Sequence, residues 1–350
     1  MNAFSPPELS AVSAILMDAE SGRVLFEKNA YKERAIASIT KLMTALVAAE
    51  SGHKLSEKIV IRPEWTGIEG SSIYLRTGET VTLEILLYGL LLNSGNDAAV
   101  AVASYCAGSI DMFVEQMNQR ASSLGMKQTH FTNPNGLSES DHFSTAYDMA
   151  LLARACSANR LISEIVSTKS ITLGTRTFTN HNKLLWRYEG CTGMKTGFTE
   201  AAGRTLVSSA RRNGQTLIAV TLNAPNDWID HASLFDYGFD KYNRSMLCSG
   251  KDVFCYAPVH GSLKRFIPIV TEKELYFPLS DDETIQTRIE LDIPINAPVE
   301  NGAHIGKLLF YFDNKVVAET DLLASEKGTN DIAMPKMRNN RLFSFLNSLT

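Results

Sequence analysis

The 350-residue chain has no C-x-x-C pair, no H-E-x-x-H string, no excess of basic residues and no apolar run of bilayer length. Each absence excludes something. The five cysteines, Cys106, Cys156, Cys191, Cys248 and Cys255, are odd in number and scattered. Only Cys248 and Cys255 lie near enough in sequence to invite a bridge, and Cys106 and Cys156 read as small core residues. With no paired cysteines and no histidine cluster, neither a metal site nor a cofactor is expected. A net charge of −4 offers no general attraction to nucleic acid, whose binders usually carry a basic face. The apolar stretch LEILLYGLLLN from residue 83 is far short of the roughly 20 residues a membrane span needs. The opening MNAFSPPELS has no charged segment leading into an apolar one, so no signal peptide is expected. Composition leaves open a cytoplasmic protein or the trimmed form of an exported one.

What is present is a globular composition, 44% hydrophobic and 21% charged, in a chain long enough for two domains. Residues 12–27 hold two apolar runs about Ser21-Gly22 and predict a hairpin. Ile39, Leu42, Met43, Leu46 and Val47 keep helical spacing from Ser38 to about Ala49. Stretches 83–91 and 97–106 are apolar nearly all round and predict buried helices, with the polar NSGN loop between them. A helix over 111–124 stops at Gly125, and Thr145 with Asp148 fits a capping box opening the next. Three strands follow, the last two joined at Asn213-Gly214, a strong hairpin signal. NDWIDHASLFDYGF then predicts an amphipathic helix with Trp228, Ile229, Ala232 and Phe235 on one side. Beyond residue 246 only short strand-like runs appear, including a hairpin in KLLFYFDNKVVAETDLL, which predicts a small β sandwich.

Within this framework, Ser38 and Lys41 stand one turn apart in an apolar helix, close enough to touch. A capping serine and a snorkelling lysine would explain the pair equally well, and Ser51 with Lys54 repeats the spacing elsewhere. Two further motifs decide between the readings. Ser94-Gly95-Asn96 occupies the loop between the buried helices, and Lys195-Thr196-Gly197 lies on the first strand of the later sheet. Ser157-Ala158-Asn159 also matches the middle motif, but K-T-G occurs once. The three together, in this order, are the parts of penicillin-recognising serine acyltransferases.

With these motifs the chain resembles the low-molecular-mass penicillin-binding proteins that act as D-alanyl-D-alanine carboxypeptidases. HFTNPNGL (130–137), STAYDMALLA (144–153), NHNKLL (180–185) and GMKTGFTEAAGRTLVSSA (193–210) are similar to segments of that family. The β-rich region after residue 246 resembles its second domain, and the chain is most similar to enzymes of Gram-positive spore formers. The resemblance implies an α+β fold: a transpeptidase-like catalytic domain over 1–246, a β domain over 247–328, and a candidate membrane-anchor segment over 329–350. It implies a substrate ending in D-Ala-D-Ala, reaction with β-lactams, no cofactor, and a place outside the cytoplasm because peptidoglycan lies there. Class A β-lactamases share two motifs but carry S-D-N and E-x-x-L-N, both missing here. A β-lactam sensor that acylates without turnover is the other alternative.

The chemistry assigns Ser38 as nucleophile and Lys41 as its base, its pKa lowered by burial and by the second cation of Lys195. Ser94 relays the proton to the departing amine, Asn96 positions Lys41 and the substrate amide, and Thr196 offers its hydroxyl to the terminal carboxylate. Gly197 lets the strand approach the substrate backbone. The resemblance implies an oxyanion hole from the N–H groups of Ser38 and Phe198. Arg204 is a further candidate for the carboxylate; His130, His142 and His181 read as structural. At the end of the chain, Leu342, Phe345, Leu346 and Leu349 form one helical face behind Lys336, Arg338 and Arg341. That pattern suits a helix docked on the β domain or a surface-lying anchor, and the resemblance favours the anchor.

Overall fold

The computed structural model describes residues 5–250 and 252–329. The region read as a membrane anchor therefore lies almost wholly outside the described residues. The chain divides into two compact units between Arg244 and Ser245.

The first unit opens with the hairpin β1 (Ser13–Asp18) and β2 (Val24–Lys28). A 3-10 turn over Ala37–Thr40 leads directly into α1 (Lys41–Glu50). Ser38 thus sits in the tight turn before the helix, and Lys41 is the first α-helical residue. A short pair, β3 (Lys58–Val60) and β4 (Thr80–Thr82), precedes α2 (Leu83–Leu92), α3 (Asn96–Ala107) and α4 (Ile110–Ser123). Both apolar helices are buried as expected, because each is surrounded by other helices rather than lying on a surface. Then come α5 (Ala146–Ala158), α6 (Arg160–Ser167), the hairpin β5 (Ser170–Leu173) and β6 (Arg176–Thr179), and α7 (Leu184–Arg187).

Thr145 caps α5 by accepting from the Asp148 N–H, but the return half of the capping box is not made. The Asp148 carboxylate instead accepts from Gln128 N and Thr129 Oγ1, tying the preceding loop to the helix.

The sheet is completed by β7 (Cys191–Thr199), β8 (Gly203–Arg212) and β9 (Gln215–Leu222), in the order β2-β1-β9-β8-β7. Asn213 and Gly214 both take positive φ, as a two-residue hairpin turn requires. Helix α8 (Asp227–Lys241) covers the other face of the sheet. Its buried side is not the one expected from apolar residues: Ile229 is 66% exposed, while Asp230, His231, Leu234, Phe235 and Gly238 face inward. Hydrogen bonding explains the rotation. Asp230 accepts from Ser10 N, Ser10 Oγ and Ala11 N, and His231 bonds Ser208 and Thr221 across the sheet, so both polar groups are satisfied inside.

Among the described residues the second unit is all β. Strand β10 (Asn243–Ser249) leads into it, followed by β11 (Val253–His260), β12 (Phe266–Thr271), β13 (Glu274–Leu279), β14 (Gln286–Leu291), β15 (Ile295–Asn296), β16 (His304–Phe312) and β17 (Lys315–Ala324). Six strands run in the order β14-β16-β17-β12-β11-β15, and β10 pairs with β13 as a separate ribbon. Ala257, Ile267, Ile269, Leu308, Phe310 and Leu322 fill the core of this unit. All five cysteines are free thiols, so Cys248 and Cys255 form no bridge; Cys248 Sγ donates to the Lys273 carbonyl instead.

Candidate active site

The site forms where the start of α1, the start of α3 and the edge strand β7 converge. In the 3-10 turn, Ala37 takes φ +50°, and Ser38 and Lys41 fall on one side. Lys41 is fully buried. Its Nζ donates to Ser38 Oγ at 2.8 Å, Asn96 Oδ1 at 2.7 Å and the Asn135 carbonyl at 2.6 Å. An ammonium has three N–H groups, and each finds an acceptor here. Burial, and then the charge of Lys195, hold Lys41 well below the usual lysine range, with Asp97 acting in the opposite sense. Lys195 is itself buried, donates to the Thr196 carbonyl at 2.7 Å, and is pushed down by burial to about 7. Two adjacent buried amines disfavour double protonation.

Asn96 opens α3, and its side chain is gripped at both ends. Nδ2 donates to the Glu69 carbonyl at 2.5 Å, which turns Oδ1 toward Lys41. Next to it the buried Asp97 accepts from Ile73 N, Leu75 N and Ser72 Oγ, holding segment 69–75 along the cleft. Ser94 takes φ +61° and is buried at the cleft wall; its hydroxyl has no hydrogen-bond partner among the described residues. Thr196 lines the same cleft, of about 360 Å³, with its hydroxyl likewise unpaired among the described residues.

Gly197 serves a contact inside the protein. A Cβ there would lie 2.4 Å from Thr205 Oγ1 and 3.0 Å from Ser38 N, so glycine lets β7 close onto the Ser38 turn. The Phe198 side chain is 65% exposed at the rim. Arg204, on β8, also lines the cleft, and Asp227 anchors it: Nη2 lies 2.9 Å from each carboxylate oxygen, with the guanidinium over Trp228.

Three further groups stand at or beside the site, one of them unseen in the sequence and two read there as structural. The Asn135 carbonyl is a main-chain acceptor, which no residue identity announces. Its loop is fixed by Thr44 Oγ1 donating to the Pro134 carbonyl, and by Asn133, which accepts from Gly136 N and donates to the Leu137 carbonyl. His142, read as structural, is held neutral by burial at a pKa of about 4 and bonds Thr40 in the 3-10 turn that carries Ser38. His181 lines the cleft itself, with burial and Lys195 both lowering its pKa. His130 lies apart, bonded to the Asp141 carbonyl.

The family model described as D-alanyl-D-alanine carboxypeptidase matches residues 1–226, and that of the Penicillin-binding protein 5 C-terminal domain matches 242–329. D-alanyl-D-alanine carboxypeptidase DacF of Bacillus subtilis is 33% identical over 331 residues, covering 90% of this chain and 85% of the relative. DacD of Escherichia coli is 34% identical, covering 92% of this chain and 87% of its own length. Among solved structures, penicillin binding protein 5 of Haemophilus influenzae superimposes with a TM-score of 0.79 at 28% identity, covering 93% of this chain and 99% of that one. PBP3 of Streptococcus pneumoniae gives a TM-score of 0.81 at 26% identity, covering 92% of this chain and all of that one. With Ser38 lining the cleft, Lys41 bonded to it from within the core, and family models matched over both parts of the chain, the chain belongs to the D-alanyl-D-alanine carboxypeptidase family, serine-type hydrolases of the penicillin-binding proteins that act on peptidoglycan.

Proposed function

We infer that Ser38 attacks the carbonyl between the two terminal D-alanines of a stem peptide, forming an acyl-enzyme and releasing D-alanine. The observation that carries this is the 2.8 Å contact from a fully buried, pKa-lowered Lys41 to Ser38 Oγ. Lys41 takes the serine proton as general base. Ser94 passes a proton to the leaving amine; its unpaired hydroxyl at the cleft wall leaves it free for that contact. Asn96 holds Lys41, and Lys195 keeps it short of full protonation while balancing charge in the cleft. The N–H groups of Ser38 and Phe198 receive the oxyanion. Thr196 takes the terminal carboxylate, with Arg204 beside it, oriented by Asp227. Water then frees the acyl group and restores Ser38.

β-Lactams present a similar carbonyl and acylate the same serine. We assign residues 1–246 to catalysis, 247–328 to the β domain, and a site of action outside the cytoplasmic membrane, where peptidoglycan is found. The 334–350 segment is assigned weak binding to anionic lipid and no part in catalysis; vesicle co-sedimentation with and without it tests that role. For the site, intact-protein mass should rise by one penicillin, with the adduct mapping to Ser38. Ser38→Ala should abolish the adduct and Ser51→Ala should retain it. A label on another serine overturns the assignment.

A further inference from the structure

Away from the catalytic cleft, the first unit has a second polar crevice of about 330 Å³, bounded by α5, α6, the β1–β2 turn and the far ends of β7, β8 and β9. Residues two apart on a strand share a face, so Ser209 and Arg211 project to the same side, and Thr216 pairs directly with Arg211. Across from them, α5 brings Arg154 and Ser157.

The charge is unbalanced. Neither Arg154 nor Arg211 has a carboxylate within ion-pair distance among the described residues, whereas Arg204, Arg212 and Arg244 each have one. Glu20, the one carboxylate lining the crevice among the described residues, is held by Arg244 at 2.9 Å. Arg154 is nonetheless fixed: Nε donates to the Ala19 carbonyl at 2.9 Å and Nη2 to the Glu20 carbonyl at 3.1 Å. Those carbonyls use one edge of the guanidinium and leave Nη1 for another acceptor. Hydroxyls complete the wall, Thr192 and Ser209 bonded to each other at 2.7 Å, with Ser157 and Thr216 nearby.

We propose that this crevice is a binding site for a phosphate-type anion, a phosphate ester or inorganic phosphate, held between Arg154 and Arg211 and capped by the hydroxyls. Guanidinium groups pair bidentately with tetrahedral oxyanions, and hydroxyls satisfy the remaining oxygens. The volume admits more than a bare carboxylate and lies at the lower end of small-ligand sites.

Calorimetric titration of the full chain with inorganic phosphate and with glycerol phosphate, at constant ionic strength, tests the site. The enzyme is first acylated with penicillin so that the catalytic cleft is filled. Saturable binding should persist after acylation and weaken about tenfold or more in both Arg211→Gln and Arg154→Gln. Penicillin acylation at the wild-type rate establishes that each variant is folded. Tighter binding of glycerol phosphate identifies an ester as the occupant, and equal binding identifies the free anion; both support the site. No saturable binding, binding lost on acylation, or binding unchanged in both variants overturns it.

Discussion

Gly136 is where the fold and the catalytic geometry depend on one missing carbon. It takes φ +83°, and a Cβ there would lie 2.1 Å from the Ala37 carbonyl oxygen and 2.5 Å from its carbon. Ordinary contact begins near 3.4 Å, so Gly136→Ala must push the loop from the nucleophile turn by more than an ångström. Backbone cannot give way as a flexible side chain would. The residue before it supplies the Asn135 carbonyl that accepts from Lys41 at 2.6 Å, and such a shift carries that acceptor out of hydrogen-bond range. The left-handed conformation costs an alanine about 1–2 kcal/mol. Overpacking against rigid neighbours adds about 1–3 kcal/mol. Gly125 is the control, since it takes φ +78° with nothing within 4 Å of the added carbon. Gly125→Ala therefore costs the strain alone, and Gly136→Ala about 2–5 kcal/mol in all. Denaturant unfolding measures both. Penicillin acylation should slow about 100-fold in Gly136→Ala, as misplacement by an ångström implies, and stay near wild type in Gly125→Ala. Equal destabilisation of the two, or wild-type acylation in Gly136→Ala, would refute the reasoning.

Other consequences can be measured in the same assays. Lys41→Arg keeps charge and stem but has no neutral form, so acylation should fall to near background while the fold survives. Acylation efficiency in the wild type should rise with pH as Lys41 loses its proton; Lys195→Gln removes a like charge, so the rising limb should move to higher pH. An unmoved limb would separate the two lysines. His231 is buried neutral with its pKa pushed down to about 3, below the ordinary 6.5. The unfolded chain therefore binds the extra proton first, and the contribution is complete above pH 6.5 and lost as pH falls toward 3. His231→Phe should flatten that slope, and cost about 1–3 kcal/mol for each hydroxyl, Ser208 and Thr221, left unpaired. Arg204→Gln should raise KM for a D-Ala-D-Ala peptide about tenfold with little change in kcat, and a kcat loss alone would move Arg204 out of carboxylate binding. Among the described residues Asp227 is the one carboxylate lining the cleft, and it is bound to Arg204. With no other carboxylate there to activate a deacylating water, D-alanine release should outpace penicillin hydrolysis, and the reverse ranking would favour a β-lactamase.

Residue order alone was enough to pick out Ser38-x-x-Lys41, Ser94-x-Asn96 and Lys195-Thr196-Gly197, and the folded chain joins Ser38, Lys41 and Asn96 by hydrogen bonds. Periodicity likewise located α2, α3 and the three strands β7 to β9, whose burial is dictated by apolar residues at regular spacing. The inward face of α8 was not legible this way. Asp230 and His231 point inward because partners more than two hundred residues away, or on the facing strands, satisfy them, and hydropathy counts both as solvent-seeking. The Asn135 carbonyl and the reason for Gly197 were hidden for a related cause. A main-chain acceptor is present at every position and a close approach of two strands involves no side chain, so only the packed structure shows which ones matter. The lowered pKa of Lys41 also belongs to tertiary structure: the motif supplies the amine, but the helices that bury it and the strand that brings Lys195 beside it set the direction of the shift.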